Sequence, residues 1–263
     1  MVRFYTKDEL IKELLRIREI GWIKSIRKGK NDAAVGNTLE QLLGIEENNL
    51  PIPNAGEWEL KVQRETSNSL VTLFHMEPSP RGAKIVPNIL LPLYGWRHEK
   101  AGTKYPENEM SFRSTTRANK YTDRGFIIIV NRDEKKIEFS FNAEKVSEKH
   151  RDWLEWVRER VGHLNDFDPR PYWGFADLEA KARDKIKNMF FVLAKTKREG
   201  EYEYFLYDKI FMLSEFSFEN FLKLIEEGII LIDFDARTGH NHGTKFRMRR
   251  KYWPRIFNNV RQI

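Results

Sequence analysis

Apolar positions recur at helical spacing from Leu10 through Ile11, Leu14, Leu15 and Ile17, behind a Thr6 whose partner three residues on is Glu9. That pairing is a capping box, and the pattern predicts a helix over 7–20. Residues 21–36 lose the periodicity and read as a basic, glycine-containing link. Asn37 or Thr38 can then cap a short helix running to about Ile45, with Gly44 near its end. Strands are expected at 57–63 and 69–76, where Trp58/Val62 and Leu70/Val71/Leu73 supply the apolar positions of one sheet. A long Pro/Gly-rich stretch follows over about 77–124, and a segment that irregular in a compact protein is usually functional.

Beyond it the alternation resumes. Phe126–Val130 and Ile137–Phe141 flank Arg132-Asp133-Glu134 as a hairpin. Helices are predicted over 147–161, with Trp153, Trp156, Val157 and Val161 on one side, and over 175–187. Strands at 189–194 and 202–213 are joined by a Glu199-Gly200 turn. A helix over 218–227 ends at Gly228 and leads into an apolar strand over 229–234. The order predicts a mixed α/β chain without internal repeats. It suits two lobes around a cleft, divided near residues 160–165.

Composition narrows the class. With 263 residues, 40% hydrophobic and 13% aromatic, the chain can bury one large core or two small ones without covalent staples. It has no cysteine, which excludes disulfides and thiolate metal sites and makes the cytoplasm the default compartment. No apolar run approaches the roughly 20 residues that span a membrane, and the start of the chain lacks a signal-peptide core. Charged residues at 32% lean towards a thermophilic source. P-loop, dinucleotide-binding, zincin and serine-elbow motifs are all absent. The formal net charge of +7 and a pI near 9.4 suit a polyanionic partner, because each phosphate neutralised releases counterions.

Candidate chemistry concentrates in Glu59-Leu60-Lys61, with Asn54 five positions upstream after the Pro51-Ile52-Pro53 turn. Phosphodiester hydrolysis needs a divalent metal held by oxygen ligands, and a cation near the nucleophile and the phosphate. In a strand, Glu59 and Lys61 point to one face while the Leu60 carbonyl lies along the edge. That places Asn54, Glu59 and the Leu60 carbonyl as metal ligands and Lys61 as the catalytic cation. Glu-x-Lys alone also occurs in any charged amphipathic strand, so the weight rests on the helix, Asn/Pro-rich turn and strand around it.

The run Gly36, Leu39-Glu40, Leu43-Gly44-Ile45, Asn54, Glu59-Leu60-Lys61 resembles the MutH-like branch of the PD-(D/E)XK nucleases. Its 54-to-59 spacing is most similar to the MvaI/BcnI-type restriction endonucleases. Leu73-Phe74-His75, His242-Gly243-Thr244 and Phe246-Arg247 extend the resemblance over most of the chain. The resemblance implies a mixed sheet flanked by helices, Mg2+ as cofactor, and catalytic roles for Glu40, Asn54, Glu59 and Lys61. It also implies a monomer that nicks one strand and rebinds in the opposite orientation, on a site of about CCNGG type. Asn54 is the departure, because the family places an aspartate there. Asparagine keeps the shape and one oxygen but removes the charge, so the site is expected to bind metal poorly and cleave slowly or not at all. A disarmed variant of an active enzyme is the preferred account, and a changed ligand set the other.

Sequence reading in the major groove needs forked hydrogen-bonding side chains. Asp233, Asp235, Arg237, His240, Asn241 and His242 crowd one segment, 233–243, expected to be the recognition loop. A structural metal site and a plain solvated loop are its rivals. Phosphate contacts are expected from Arg113, Arg117, Lys120 and Arg124 in one loop, and from Lys245, Arg247 and Arg249 alternating on one strand face. His75 is expected by resemblance to touch the middle of the site. The leading function is a type II restriction endonuclease acting on double-stranded DNA. A MutH-like strand-nicking repair enzyme and a non-catalytic DNA-binding protein are the alternatives.

Overall fold

The computed structural model describes residues 5–29, 31–45 and 58–263. In chain order the first elements are α1 (Lys7–Ile20), β1 (Ile23–Lys28), α2 (Ala34–Leu42), β2 (Trp58–Arg64) and β3 (Leu70–His75). Next come α3 (Leu91–Tyr94), β4 (Trp96–Arg97), β5 (Met110–Thr116), β6 (Arg124–Asn131), β7 (Lys136–Val146) and α4 (Arg151–Val161). The remainder is β8 (Tyr172–Gly174), α5 (Phe175–Lys185), β9 (Asn188–Glu199), β10 (Tyr202–Phe216), α6 (Phe218–Glu226) and β11 (Leu231–Arg237). β12 (His240–Asn241), β13 (Lys245–Arg249) and β14 (Phe257–Gln262) close the chain. These elements form two compact units, 1–69 with 186–217 and 250–263, and 70–185 with 218–249. Both are discontinuous in sequence, so the contiguous division near 160–165 is replaced by an interleaved one. Its cause is strand pairing: β9 and β10 return from late in the chain to join β1 and β2.

In the first unit the sheet order is β1-β10-β9-β2, with β14 also on β10, and β2 runs parallel to β9. Leu60 and Val62 of β2 share a core with Phe190, Val192 and Ala194 of β9 and with Phe205, Ile210 and Met212 of β10. Leu10, Leu14 and Ile17 of α1 and Ala34, Val35 and Leu39 of α2 close over that face. Burying each large aliphatic chain contributes about 1.5–3 kcal/mol. The expected capping box is present: the Thr6 hydroxyl accepts from the Glu9 amide at 3.3 Å, and the Thr6 amide donates back to Glu9 Oε2 at 2.8 Å.

Two expectations about the link are corrected. Residues 23–28 form an edge strand on β10, because Gly21, at φ +80°, ends α1 and turns the chain back along the sheet. Helix α2 begins at Ala34, so Asn37 and Thr38 lie inside it. Asn31 organises the entry instead, its Oδ1 accepting from the Ala33 amide at 2.9 Å. Thr38 is buried, and its hydroxyl accepts from the Ile26 amide at 3.3 Å, tying helix to strand.

The second unit holds a sheet of order β3-β13-β11-β5-β4, with β12 on β11, and a three-stranded sheet β6-β7-β8. The expected hairpin is β6–β7. Between the layers lies an aromatic core in which Phe139 stands 4.5 Å from Phe234 and Phe74 4.8 Å from Phe246, ring centre to ring centre. β2 and β3, expected as neighbours, belong to different sheets: β2 pairs with β9, and β3 with β13. Part of the irregular stretch is also ordered, since β5 occupies 110–116 and pairs with both β4 and β11.

Candidate active site and DNA-reading face

On β2 the alternation assigns Leu60 and Val62 to the helix-covered core, and Glu59, Lys61 and Gln63 to the opposite face. β2 is the outer strand of its sheet path, with β9 on one side. Glu59 and Lys61 form an ion pair, with their side chains 35% and 32% exposed, so the pair is reachable by a ligand and only partly screened. On the same sheet face Phe191, opposite Lys61 in the ladder, is stacked by Trp253 at 6.1 Å. Arg250 lies beside them and donates to the Val62 carbonyl at 2.8 Å. Burial lowers the Arg250 pKa, and the Glu59 carboxylate partly offsets that effect.

Arg250 is therefore a second cation near Glu59, drawn from the basic run that closes the chain. A Lys/Arg run carries no signal separating a residue folded back under a sheet from one in solvent. Trp253, in the aromatic-basic run after Arg250, is buried, and Tyr252 is half-buried.

Glu40 lies on α2, half-exposed, on the helix that covers the core face of the sheet. Asn54, and the Pro51-Ile52-Pro53 turn before it, lie outside the described residues. Among the described residues no cluster of three or more His, Asp or Glu side chains could hold a metal ion. This gives no support to the structural-metal rival for 233–243. The donors for a hard cation on β2 are Glu59 and the Leu60 carbonyl, both oxygen, which suits Mg2+ in type and leaves the set incomplete without residue 54.

The residues named for DNA reading converge more than their sequence spacing suggested. The 233–243 segment is β11, a tight turn and β12, not a loop, and Arg113 lies on β5 rather than in a loop. Cross-strand register sets Asp235 opposite Arg113, Asp233 opposite both Thr115 and Lys245, and Lys245 opposite His75. His75, Arg113, Asp233, Asp235, Lys245 and Arg247 thus share one face of the sheet, while Phe112, Phe234, Phe246 and Met248 point into the core.

Charges on this face are laced together. Asp235 receives Arg113 at 3.1 Å and Lys245 at 2.8 Å; Asp233 receives Arg247 at 2.8 Å and the Thr115 hydroxyl at 2.8 Å. Burial would raise the Asp235 pKa, but Lys245, Arg113 and His242 outweigh it and hold the carboxyl below its ordinary range. Gly243, at φ +84°, lets the chain pass beside His75, where an added Cβ would lie 3.2 Å from the imidazole Cδ2.

Other candidates stand apart from this lattice. Arg237 is held by Glu109 at 3.0 Å and over the Tyr105 ring at 4.9 Å. His240 and His242 stack at 6.4 Å on the exposed hairpin, and Asn241 Oδ1 accepts from the Gly243 amide at 3.0 Å. Arg249, Arg117 and Lys120 are exposed. Arg124 is not a solvated loop cation: it begins β6, with its guanidinium 3.9 Å from the Trp96 ring centre and 5.6 Å from that of Trp153.

The described residues thus set a Glu-x-Lys pair on an outer strand of one unit and a charged, strand-built face on the other. The profile of the MvaI/BcnI restriction endonuclease family matches residues 11–257, and the chain belongs to that family. Among solved structures it is similar to restriction endonuclease MvaI in complex with cognate DNA. The identity is 23%, 97% of each chain is covered and the TM-score is 0.63. MvaI in the absence of DNA gives 23% identity, 96% and 95% coverage, and a TM-score of 0.60. These likenesses bear out the expected fold. Curated protein sequences give no match. No helix among the described residues is long and apolar enough to cross a membrane.

Proposed function

We propose that this protein is a type II restriction endonuclease that hydrolyses double-stranded DNA at a short sequence of about CCNGG type, with its catalytic power reduced by Asn54. The observation that carries the reading is the half-exposed Glu59–Lys61 pair on β2 of a chain in this family. Mg2+ would be held by Glu59, the Leu60 carbonyl and residue 54, and would supply Lewis-acid polarisation of the phosphate and a lowered pKa for water. Lys61 holds the attacking water in line and offsets the charge that grows on the phosphate oxygens. Glu40 is on α2, which covers the other face of the sheet, so its part would be support of the site and not contact with Glu59 or Lys61. Arg250 adds a fixed positive charge beside Glu59. The water would give up a proton to solvent as it forms the new P–O bond, the P–O3′ bond would break with O3′ taking up a proton from solvent, and the products would be a 5′-phosphate and a 3′-hydroxyl.

The second unit reads the DNA. His75, Asp233, Asp235, Arg237, His240, Asn241 and His242 contact base edges, and Arg113, Arg117, Lys120, Arg124, Lys245, Arg247 and Arg249 contact phosphates or guanines. The enzyme acts as a monomer in the cytoplasm. Asn54 favours one second reading, a DNA-binding protein that does not cut. Incubating plasmid and magnesium with the chain and with Asn54→Asp separates these. Double-strand cuts at fixed sites by the variant support the proposal, nicks alone favour a strand-nicking repair enzyme, and intact plasmid with retained binding favours the non-catalytic reading.

A further inference from the structure

Beside the reading face, the second unit has an open cavity of about 310 Å³ lined by Arg113 and Thr115 of β5, Trp96 of β4, Arg124 of β6, and Lys149 and His150 just before α4. Its most unusual member is Arg124. The guanidinium is half-buried against two indoles, its Nε is buried with no hydrogen-bond partner, and the charge of neighbouring Asp123 only partly offsets the burial, with no carboxylate at ion-pair distance among the described residues. A cation taken out of water without a partner is costly, and cation–π contact with Trp96 and Trp153 recovers only part of that cost. A guanidinium also carries terminal N–H donors in a planar fork that matches a phosphate acceptor.

The rest of the lining tells which acceptor fits. Lys149, paired with the one lining carboxylate, Asp123, and Arg113, paired with Asp235, are the other cations of the lining, and an anion would compete with those carboxylates for them. His150 lines the cavity at the turn into α4, and its ring makes no cap hydrogen bond. Thr115 connects the cavity to the reading face, its hydroxyl donating to Asp233 at 2.8 Å.

We infer that this cavity is a phosphate site, with the Arg124 fork as its floor and Lys149 and His150 as its outer donors. The inference rests on the DNA-binding reading for its supply: a phosphodiester of a duplex lying on the β5–β11 face is one source, and free phosphate is the other. Burial and the charges of Arg124 and Lys149 lower the His150 pKa, so an anion in the cavity should raise it and move its ring resonances.

The test uses the full chain without divalent metal, so that DNA is bound but not cut. Inorganic phosphate and a cognate-type duplex are titrated separately while the His150 ring is followed by NMR, assigned with His150→Gln. Both should shift the ring and raise its pKa, and Arg124→Gln should abolish both responses. Lys149 is 63% exposed, so Lys149→Met preserves the fold even if Arg124→Gln does not. In the duplex arm Lys149→Met should lower the slope of log affinity against log salt by about 1. Silence of His150 in both arms, or an unchanged slope with Lys149→Met, overturns the site. A response to free phosphate alone overturns the DNA source. Because none of these readouts needs cleavage, an uncut plasmid with Asn54→Asp would remove the nuclease reading and leave this inference standing.

Discussion

The outer face of β2 and the outer face of the β3-β13-β11-β5 sheet both follow strand alternation, yet they organise charge in opposite ways. On β2 two residues of one tripeptide, Glu59 and Lys61, make the pair, and the neighbours Phe191 and Trp253 are aromatic. On the second face no strand suffices: Asp235 of β11 needs Arg113 of β5 and Lys245 of β13, and Asp233 needs Arg247 of β13 and Thr115 of β5. A local pair suits chemistry at one phosphorus atom. Under the proposed reading, a lattice of cross-strand pairs would suit discrimination, since each member would exchange a protein partner for a base or phosphate and a mismatched base would leave that exchange unpaired.

This contrast can be broken experimentally, and the largest expected effect is on β2. In an Asn54→Asp background, Glu59→Ala or Lys61→Met should lower the cleavage rate constant by on the order of a thousandfold, with duplex binding without metal nearly unchanged. Equal losses in rate and binding would show that β2 holds DNA instead of reacting with it.

Arg247→Met on the lattice should act on selectivity. Competition between cognate and single-mismatch duplexes should lose about 1–3 kcal/mol of discrimination, with little effect on the single-turnover rate at saturation. A uniform loss across all sequences would leave Arg247 as the phosphate contact expected from the sequence.

Gly243→Ala sharpens the role of the hairpin that passes His75. Its φ of +84° and the crowded Cδ2 should cost about 1 kcal/mol or more, read as a lower thermal midpoint. Full stability would mean that the backbone can relax away from His75.

The smallest effect is the pH response of the lattice. The Asp235 pKa is depressed in the fold, so its stabilising contribution is complete above the unfolded value of 3.8 and is lost as pH falls through the lower folded one. Urea midpoints measured downwards from pH 5 should therefore fall less steeply in Asp235→Asn than in the parent. Parallel curves would show that the Asp235 pairs contribute nothing measurable to folding.

Local patterns carried the parts of the fold that depend on neighbours in sequence. The Thr6–Glu9 capping box, the β6–β7 hairpin and the shared face of Glu59 and Lys61 follow from i, i+3 and i, i+2 geometry and need no partner elsewhere. Where tertiary demand competed with a capping signal, the prediction moved. Helix α2 starts at Ala34 because Ala34 and Val35 belong to the core, and Thr38, a good cap by type, is buried against β1.

The sequence by itself determined the chemistry of the candidate site, since Glu59, Leu60 and Lys61 lie within three residues and a strand can present them in only one way. It also determined that the chain is basic and mixed α/β. Only the tertiary structure decided that β2 and β3 part into different sheets, that Arg250 comes beside Glu59, and that Arg124 lies half-buried against Trp96 and Trp153. Those outcomes depend on pairings between strands up to more than a hundred residues apart, and residue type alone specifies neither partner nor register for such pairings.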